Sequence, residues 1–294
     1  MNTRLKTTFC LLILLAVVIA LAYTPVLPVA VAVLSAIAVT EIARCAKVKN
    51  KAIIGLGTGF AFLFPFFSAP NALAPLVSGE ALSKFTSFIP GTALLVIYVL
   101  VLLLVMLKGY DFTKFEHVAI VFTASLLVPF ALTTVVHFRD LYITAPDLFT
   151  KEAGIYILFV GAISAFGTDS GAYLAGRAFG KHKMAPKISP KKTIEGAVGG
   201  VIFSLVLNLA AWGLFVKITG QQPMAWYIIA LITIPISVLS MMGDLSASVI
   251  KRNYGVKDFG KLFPGHGGVM DRFDSALFTF SALYAIILMY IKFA

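Results

Sequence analysis

Charge is scarce in this sequence. Asp, Glu, Lys and Arg make up only 13% of its 294 residues, roughly half the share of an ordinary soluble domain. No segment is polar and long enough to fold as a soluble domain by itself. Cysteine is rarer still. Cys10 and Cys45 are the two present; they stand far apart and outside any Cys-x-x-Cys pattern, which excludes a disulfide framework and a cysteine-ligated zinc site. The four histidines, His117, His137, His182 and His266, are scattered without partner spacing, so zinc is disfavoured. No internal repeat or low-complexity tract is visible, which counts against an inverted-repeat transporter. Aromatic-interleaved basic segments are missing too, so the formal charge of +11 does not point to nucleic acid. Lysines and arginines in cytoplasmic loops, facing anionic headgroups, account for it.

What the chain does have is long apolar runs, with 60% hydrophobic residues. Runs of this length imply an all-α, polytopic membrane protein. Nine spans can be drawn, at about 8–24, 27–45, 52–69, 91–108, 116–137, 153–173, 194–217, 225–247 and 273–292. The first has a signal-peptide flavour, with Arg4 and Lys6 ahead of it, but is read as a retained span. With the N-terminus inside, only Lys84, Arg139, Lys151, Lys217 and Lys292 of the 24 basic residues fall outside, which supports an N-in, C-out topology. Residues 1–150 are then an N-terminal part of about five spans, and 151–294 a C-terminal part of about four. Gly55 with Gly59, and Gly196 with Gly200, are four apart and suit close helix packing. Glu41, near the end of the second span, is either a functional acid or a local partner of Arg44.

Two polar constellations interrupt the apolar pattern. In the first, Asp169, Tyr173, Gly176 and Arg177 share one helical face. An Asp there costs roughly 2.5–3.5 kcal/mol to insert, so it needs a cation, a base or a polar cavity; the plainer reading is an Asp169–Arg177 bridge. Just downstream, Ser189 and Pro190 read as a helix start. This start gathers Lys191, Lys192 and Thr193 around free backbone N–H groups, an arrangement suited to phosphate. Topology alone would explain the lysines but not that order.

The second constellation holds four of the thirteen acidic residues, Asp244, Asp258, Asp271 and Asp274, among five bases. On a helix, Asp244, Ser248, Lys251 and Arg252 share a face, as do Asp271, Asp274 and Ser275. Between them, Pro264-Gly265-His266-Gly267-Gly268 is a turn poor in side chains that lets backbone approach a ligand. Oxygen-only ligands beside phosphate-binding bases suit Mg²⁺. The plainer readings are a solvated Lys257–Asp258 pair, Asp274 as a helix cap, and His266 as a loop-ordering residue.

The run from Ser248 through Lys251-Arg252, Lys257-Asp258, Gly260, Pro264-Gly265-His266-Gly267-Gly268 and Asp271-Arg272 to Asp274 resembles the signature of the CDP-diacylglycerol synthase (phosphatidate cytidylyltransferase) family. Asp169 to Tyr173 and Ser189 to Gly196 match the same family in the same order. Ala247 departs from the pattern, because many members carry Glu directly before the serine. The resemblance implies transfer of CMP from CTP to phosphatidic acid, giving CDP-diacylglycerol and pyrophosphate in phospholipid biosynthesis. It implies Mg²⁺ as two ions, with room for a monovalent cation, at a cytoplasmic-side site in the cell membrane. Asp244 and Asp271 would anchor metal, and Lys251, Arg252, Asp258 and His266 would join them in the chemistry. Asp169, Tyr173, Arg177, Ser189, Lys191, Lys192, Thr193, Glu195, Ser248, Lys257, Gly267, Gly268, Arg272 and Asp274 would bind substrate. A helix-packed homodimer is a further expectation. The alternatives are a CTP-dependent polyprenol-type lipid kinase and an anion or lipid transporter.

Overall fold

The computed structural model describes residues 17, 20–69 and 91–294. Residues 70–90 and most of the apolar run at 8–24 lie outside them. The remaining eight expected spans are all present as helices long and apolar enough to cross a membrane. They are α1 (Val26–Cys45), α2 (Lys51–Ser68), α3 (Gly91–Lys108), α4 (Phe115–Arg139), the continuous stretch Lys151–Phe179, α8 (Ile194–Thr219), α9 (Trp226–Asn253) and α10 (Met270–Phe293). A short helix, α5 (Leu141–Thr144), follows α4. The Lys151–Phe179 stretch is α6 (Lys151–Ala162), a π-helical turn at Ile163–Gly167, and α7 (Thr168–Phe179). The chain is an all-α polytopic membrane protein. Its one small sheet among the described residues is an antiparallel hairpin, β1 (Lys183–Ala185) with β2 (Ser189–Thr193).

The chain divides into two compact units. The first comprises the described part of Met1–Val136 together with Val256–Arg272. Here α1 packs along α2 and α2 against α3. The Asn50 side chain caps α2 by accepting from the N–H groups of Ala52 (3.0 Å) and Ile53 (3.4 Å), leaving its own amide to donate to Thr113. Phe60 stacks on Tyr98 with centroids 4.1 Å apart, and the Tyr98 hydroxyl meets Ser125 at 2.6 Å. One expectation fails in this unit. A Cβ added at Gly55 or Gly59 would meet no described atom, whereas one at Gly57 would collide with Val121. The close helix approach therefore uses the glycine between the expected pair.

The second unit comprises His137–Gly255 and Phe273–Ala294. Its dominant contact is α7 against α8, which run antiparallel with small residues facing each other. A Cβ at Gly196 would lie 2.7 Å from the Ala172 carbonyl oxygen, and one at Gly200 2.6 Å from that of Thr168; the packing role expected of this pair holds. Polar side chains tie α8 to the π-turn and to α9 inside the apolar region. The Asn208 amide donates to Ser164 at 2.9 Å, the Ser237 hydroxyl to Ser204 at 3.1 Å. Hydrogen bonds of this kind add to small-residue packing as interhelical glue. They surround the π-turn, a wider coil that shifts the phase of α7 relative to α6 and so sets the direction in which Asp169 leaves the helix. Arg139 and Asp140, both buried, satisfy each other through two bonds of 2.7 and 2.9 Å.

Candidate active site

The β-hairpin overturns one expectation. Ser189 and Pro190 do not start a helix; they lie in β2, and α8 begins at Ile194. The cap is Thr193, whose hydroxyl accepts from the Gly196 N–H at 3.1 Å. A serine followed by proline suits an extended segment as well as a helix start. Pairing with β1 decided between them. Glu195, in the first turn of α8, reaches back to the hairpin. Its carboxylate accepts from the backbone N–H groups of Lys181 (3.0 Å) and His182 (3.2 Å), and lies 2.6 Å from His182 Nδ1. It holds the far arm of the hairpin in place.

With the hairpin folded back, the second unit forms a cleft of about 280 Å³ lined by Asp169 and Tyr173 of α7, Ser189 and Lys191–Thr193 of β2, and Met241 and Asp244 of α9. Met184 of β1 and Ala172 and Ala197 complete its wall. None of these last residues nor Met241 was singled out in the sequence, because an alanine or methionine in an apolar run has no local mark. Lys192 and Asp244 form an ion pair across the cleft. One and two helical turns further on, Ser248 and Lys251 are buried, and Lys251 Nζ stands 3.8 Å from Asp274 of α10. Asp274 is within electrostatic reach of both Asp244 and Asp169. It is the fifth residue of α10 and buried, so it is not the helix cap. Three carboxylates from three helices thus share one neighbourhood with two lysines. Arg177 and Arg252 are exposed on the same unit.

The first unit carries the other half of the long motif. Lys257 and Asp258 are exposed. The next stretch folds into a tight turn: the Phe263 N–H donates to the Gly267 carbonyl, and the His266 N–H to that of Phe263, each at 2.8 Å. Gly265 and Gly267 have φ of 77° and 85°, a region that L residues with side chains avoid. Asp271 organises this turn. Its Oδ2 accepts from the N–H groups of Phe259 (2.8 Å), Gly268 (3.0 Å) and Gly260 (3.3 Å). Arg272 is exposed and His266 half-buried.

The donor set of the cleft fits a hard divalent cation. Its acids are carboxylates on separate helices, no cysteine or histidine lines it, and the Lys192 ammonium already sits against Asp244. That contact shows a carboxylate set to face positive charge. Mg²⁺ in protein sites takes one or two carboxylates plus substrate phosphates.

Comparison with known proteins bears on what such a cleft serves. Residues 2–290 match the model of the cytidylyltransferase family. The phosphatidate cytidylyltransferase of Bacillus subtilis strain 168 is 32% identical over 257 residues, 87% of this chain and 87% of that protein. That of Staphylococcus saprophyticus is 42% identical over 139 residues, which cover 47% of this chain and 52% of its relative. A Staphylococcus aureus counterpart, from strain COL, is 39% identical over 139 residues, with the same coverage of both chains.

Proposed function

The chain belongs to the cytidylyltransferase family, and on that premise we propose that its cleft joins CTP to phosphatidic acid at a membrane surface. The product is CDP-diacylglycerol. A phosphate oxygen of the lipid attacks the α-phosphorus of CTP. The new O–P bond forms as the bond from that phosphorus to the bridging oxygen breaks, and pyrophosphate leaves with the electron pair. The attacking phosphate monoester is already anionic near neutral pH, so no base has to deprotonate it. The barrier lies in bringing two polyanions together, and positioning with charge neutralisation supplies most of the catalysis in such transfers.

The observation that carries this reading is the cleft itself, where Asp169, Asp244, Lys191 and Lys192 converge from two helices and a hairpin. Lys191 and Lys192 bind phosphate oxygens on a short, paired strand that limits their freedom. Lys251, held by Asp274, adds a third cation two turns further along α9. Tyr173, Met184 and Met241 give the cleft an apolar wall, suited to the parts of the substrates that carry no charge. When Mg²⁺ is bound, it neutralises phosphate charge and stabilises the attacking and leaving oxygens. Asp244, with Asp169 and Asp274 beside it, would hold it in the second unit; for Asp271, in the first unit, the role of metal anchor rests on the motif alone. Embedding the enzyme in the bilayer leaves the acyl chains in lipid while the headgroup enters the cleft. We place that cleft on the cytoplasmic side of the cell membrane, where CTP is made. A homodimer and a monovalent cation are carried forward as proposals, to be checked by crosslinking in membranes and by replacing K⁺ in the assay.

The test is a radiolabelled CTP assay on the purified protein with phosphatidic acid, with and without Mg²⁺. A labelled CDP-lipid and pyrophosphate, both lost on chelation, are expected. CDP with a lipid phosphate as products would overturn the reading in favour of a lipid kinase. Turnover that persists without divalent metal would remove Mg²⁺ from it.

A further inference from the structure

Glu41 is buried near the end of α1, in the first unit, far in sequence from every residue of the cleft and of the long motif. Its two carboxylate oxygens accept from consecutive backbone N–H groups 228 and 229 residues away, Val269 at 3.1 Å and Met270 at 2.9 Å. These groups open α10, where the first N–H groups of a helix have no partner within it and where negative charge is favoured. The preceding N–H, that of Gly268, goes to Asp271. Three successive donors at the end of the glycine-rich turn are thus held by two acids, and Glu41 takes two of the three. Arg44, one turn further along α1, is not its hydrogen-bond partner.

The glycines around it fall into two kinds. Gly265 and Gly267 have positive φ; Gly260 and Gly268 do not. Yet a Cβ at Gly260 or at Gly268 would collide with the carboxylate of Glu41. The backbone at these two positions would tolerate a side chain, and the space would not, because Glu41 occupies it.

We infer that Glu41 is a positioning residue for the transfer reaction: it fixes the Gly260–Met270 segment by bonding the first turn of α10, and it is the reason Gly260 and Gly268 are glycines. It touches neither substrate nor metal. It acts through Gly268, Val269 and Met270 on the neighbouring His266, Asp271 and Arg272. This role rests on the reading of the family activity given above.

Four full-length proteins test it: wild type, Glu41→Ala, Gly268→Ala and the double variant. Removing the carboxylate is expected to lower kcat roughly a hundredfold, the scale of a misplaced reactive segment, while KM for CTP stays near wild type. Gly268→Ala lowers kcat in the same way. The double variant should be no worse than Glu41→Ala, since the methyl group added at position 268 then has no carboxylate to collide with. Losses that multiply independently would overturn the assignment, as would an unchanged kcat in Glu41→Ala. A second measurement needs no substrate. Hydrogen exchange at the Val269 and Met270 amides should speed up roughly tenfold without their charged acceptor, and unchanged exchange would sink the proposal. If wild type made no CDP-lipid, the activity reading would fail while exchange still decided the role of Glu41. Should Glu41→Ala not fold, Gly268→Ala alone must show both the kcat loss and the faster exchange.

Discussion

Two acidic neighbourhoods carry the polar chemistry of this chain, and they differ in what their carboxylates hold. In the second unit, Asp244 faces Lys192 and Asp274 faces Lys251. In the first, Asp271 and Glu41 face five backbone N–H groups between them. A lysine can swing away when a phosphate or metal ion arrives, because its ammonium sits on a flexible stem. A backbone amide cannot leave without moving the chain. The acids of the cleft are therefore available to a ligand, whereas Asp271 Oδ2 and both oxygens of Glu41 are committed to shape.

The sharpest way to break this contrast is to remove charge in the cleft while keeping volume. Asp244→Asn should cut CTP-dependent turnover on the order of a thousandfold, the upper range for loss of one electrostatic contact in an active site, with no change in amide exchange of the turn. Asp271→Asn comes next. It should lose roughly a hundredfold or more in turnover, and here the exchange of the Phe259 and Gly268 amides must also rise. Loss of activity without that rise would assign Asp271 to metal alone. Replacing Lys191 and Lys192 together with Ala should raise KM for CTP about tenfold, the scale of one charge-assisted bond, with a smaller effect on kcat. Unchanged kinetics would return the hairpin lysines to a topological role. Smallest of all, Thr193→Ala removes the cap of α8 and should cost about 1 kcal/mol of stability, read as a lower unfolding temperature with KM little changed.

Much of the architecture was legible beforehand because hydropathy is a local property. Eight spans stand where their apolar runs place them, and Asp244, Ser248 and Lys251 line up as helical spacing requires. The failures have a common origin. Ser189-Pro190 fits both a helix start and a strand, and the choice was made by pairing with Lys183–Ala185, which no window around Ser189 contains. Gly55 and Gly59 satisfy a packing motif, but Gly57 meets the neighbouring helix, since the motif does not say which face of α2 is turned inward. Glu41 offered two readings, a functional acid or a partner of Arg44. Its actual partners are amide groups that become unpaired only once α10 has formed.

The order of the residues thus settled which segments leave water, how many charges accompany them, and to which family the long C-terminal motif points. Burial energy is summed along a stretch of chain, so a linear reading reaches it. Whether a given carboxylate would meet a lysine or a backbone amide was decided by the folded chain alone. Hydrogen bonds act over about 3 Å, and only packing brings groups more than two hundred residues apart within that range.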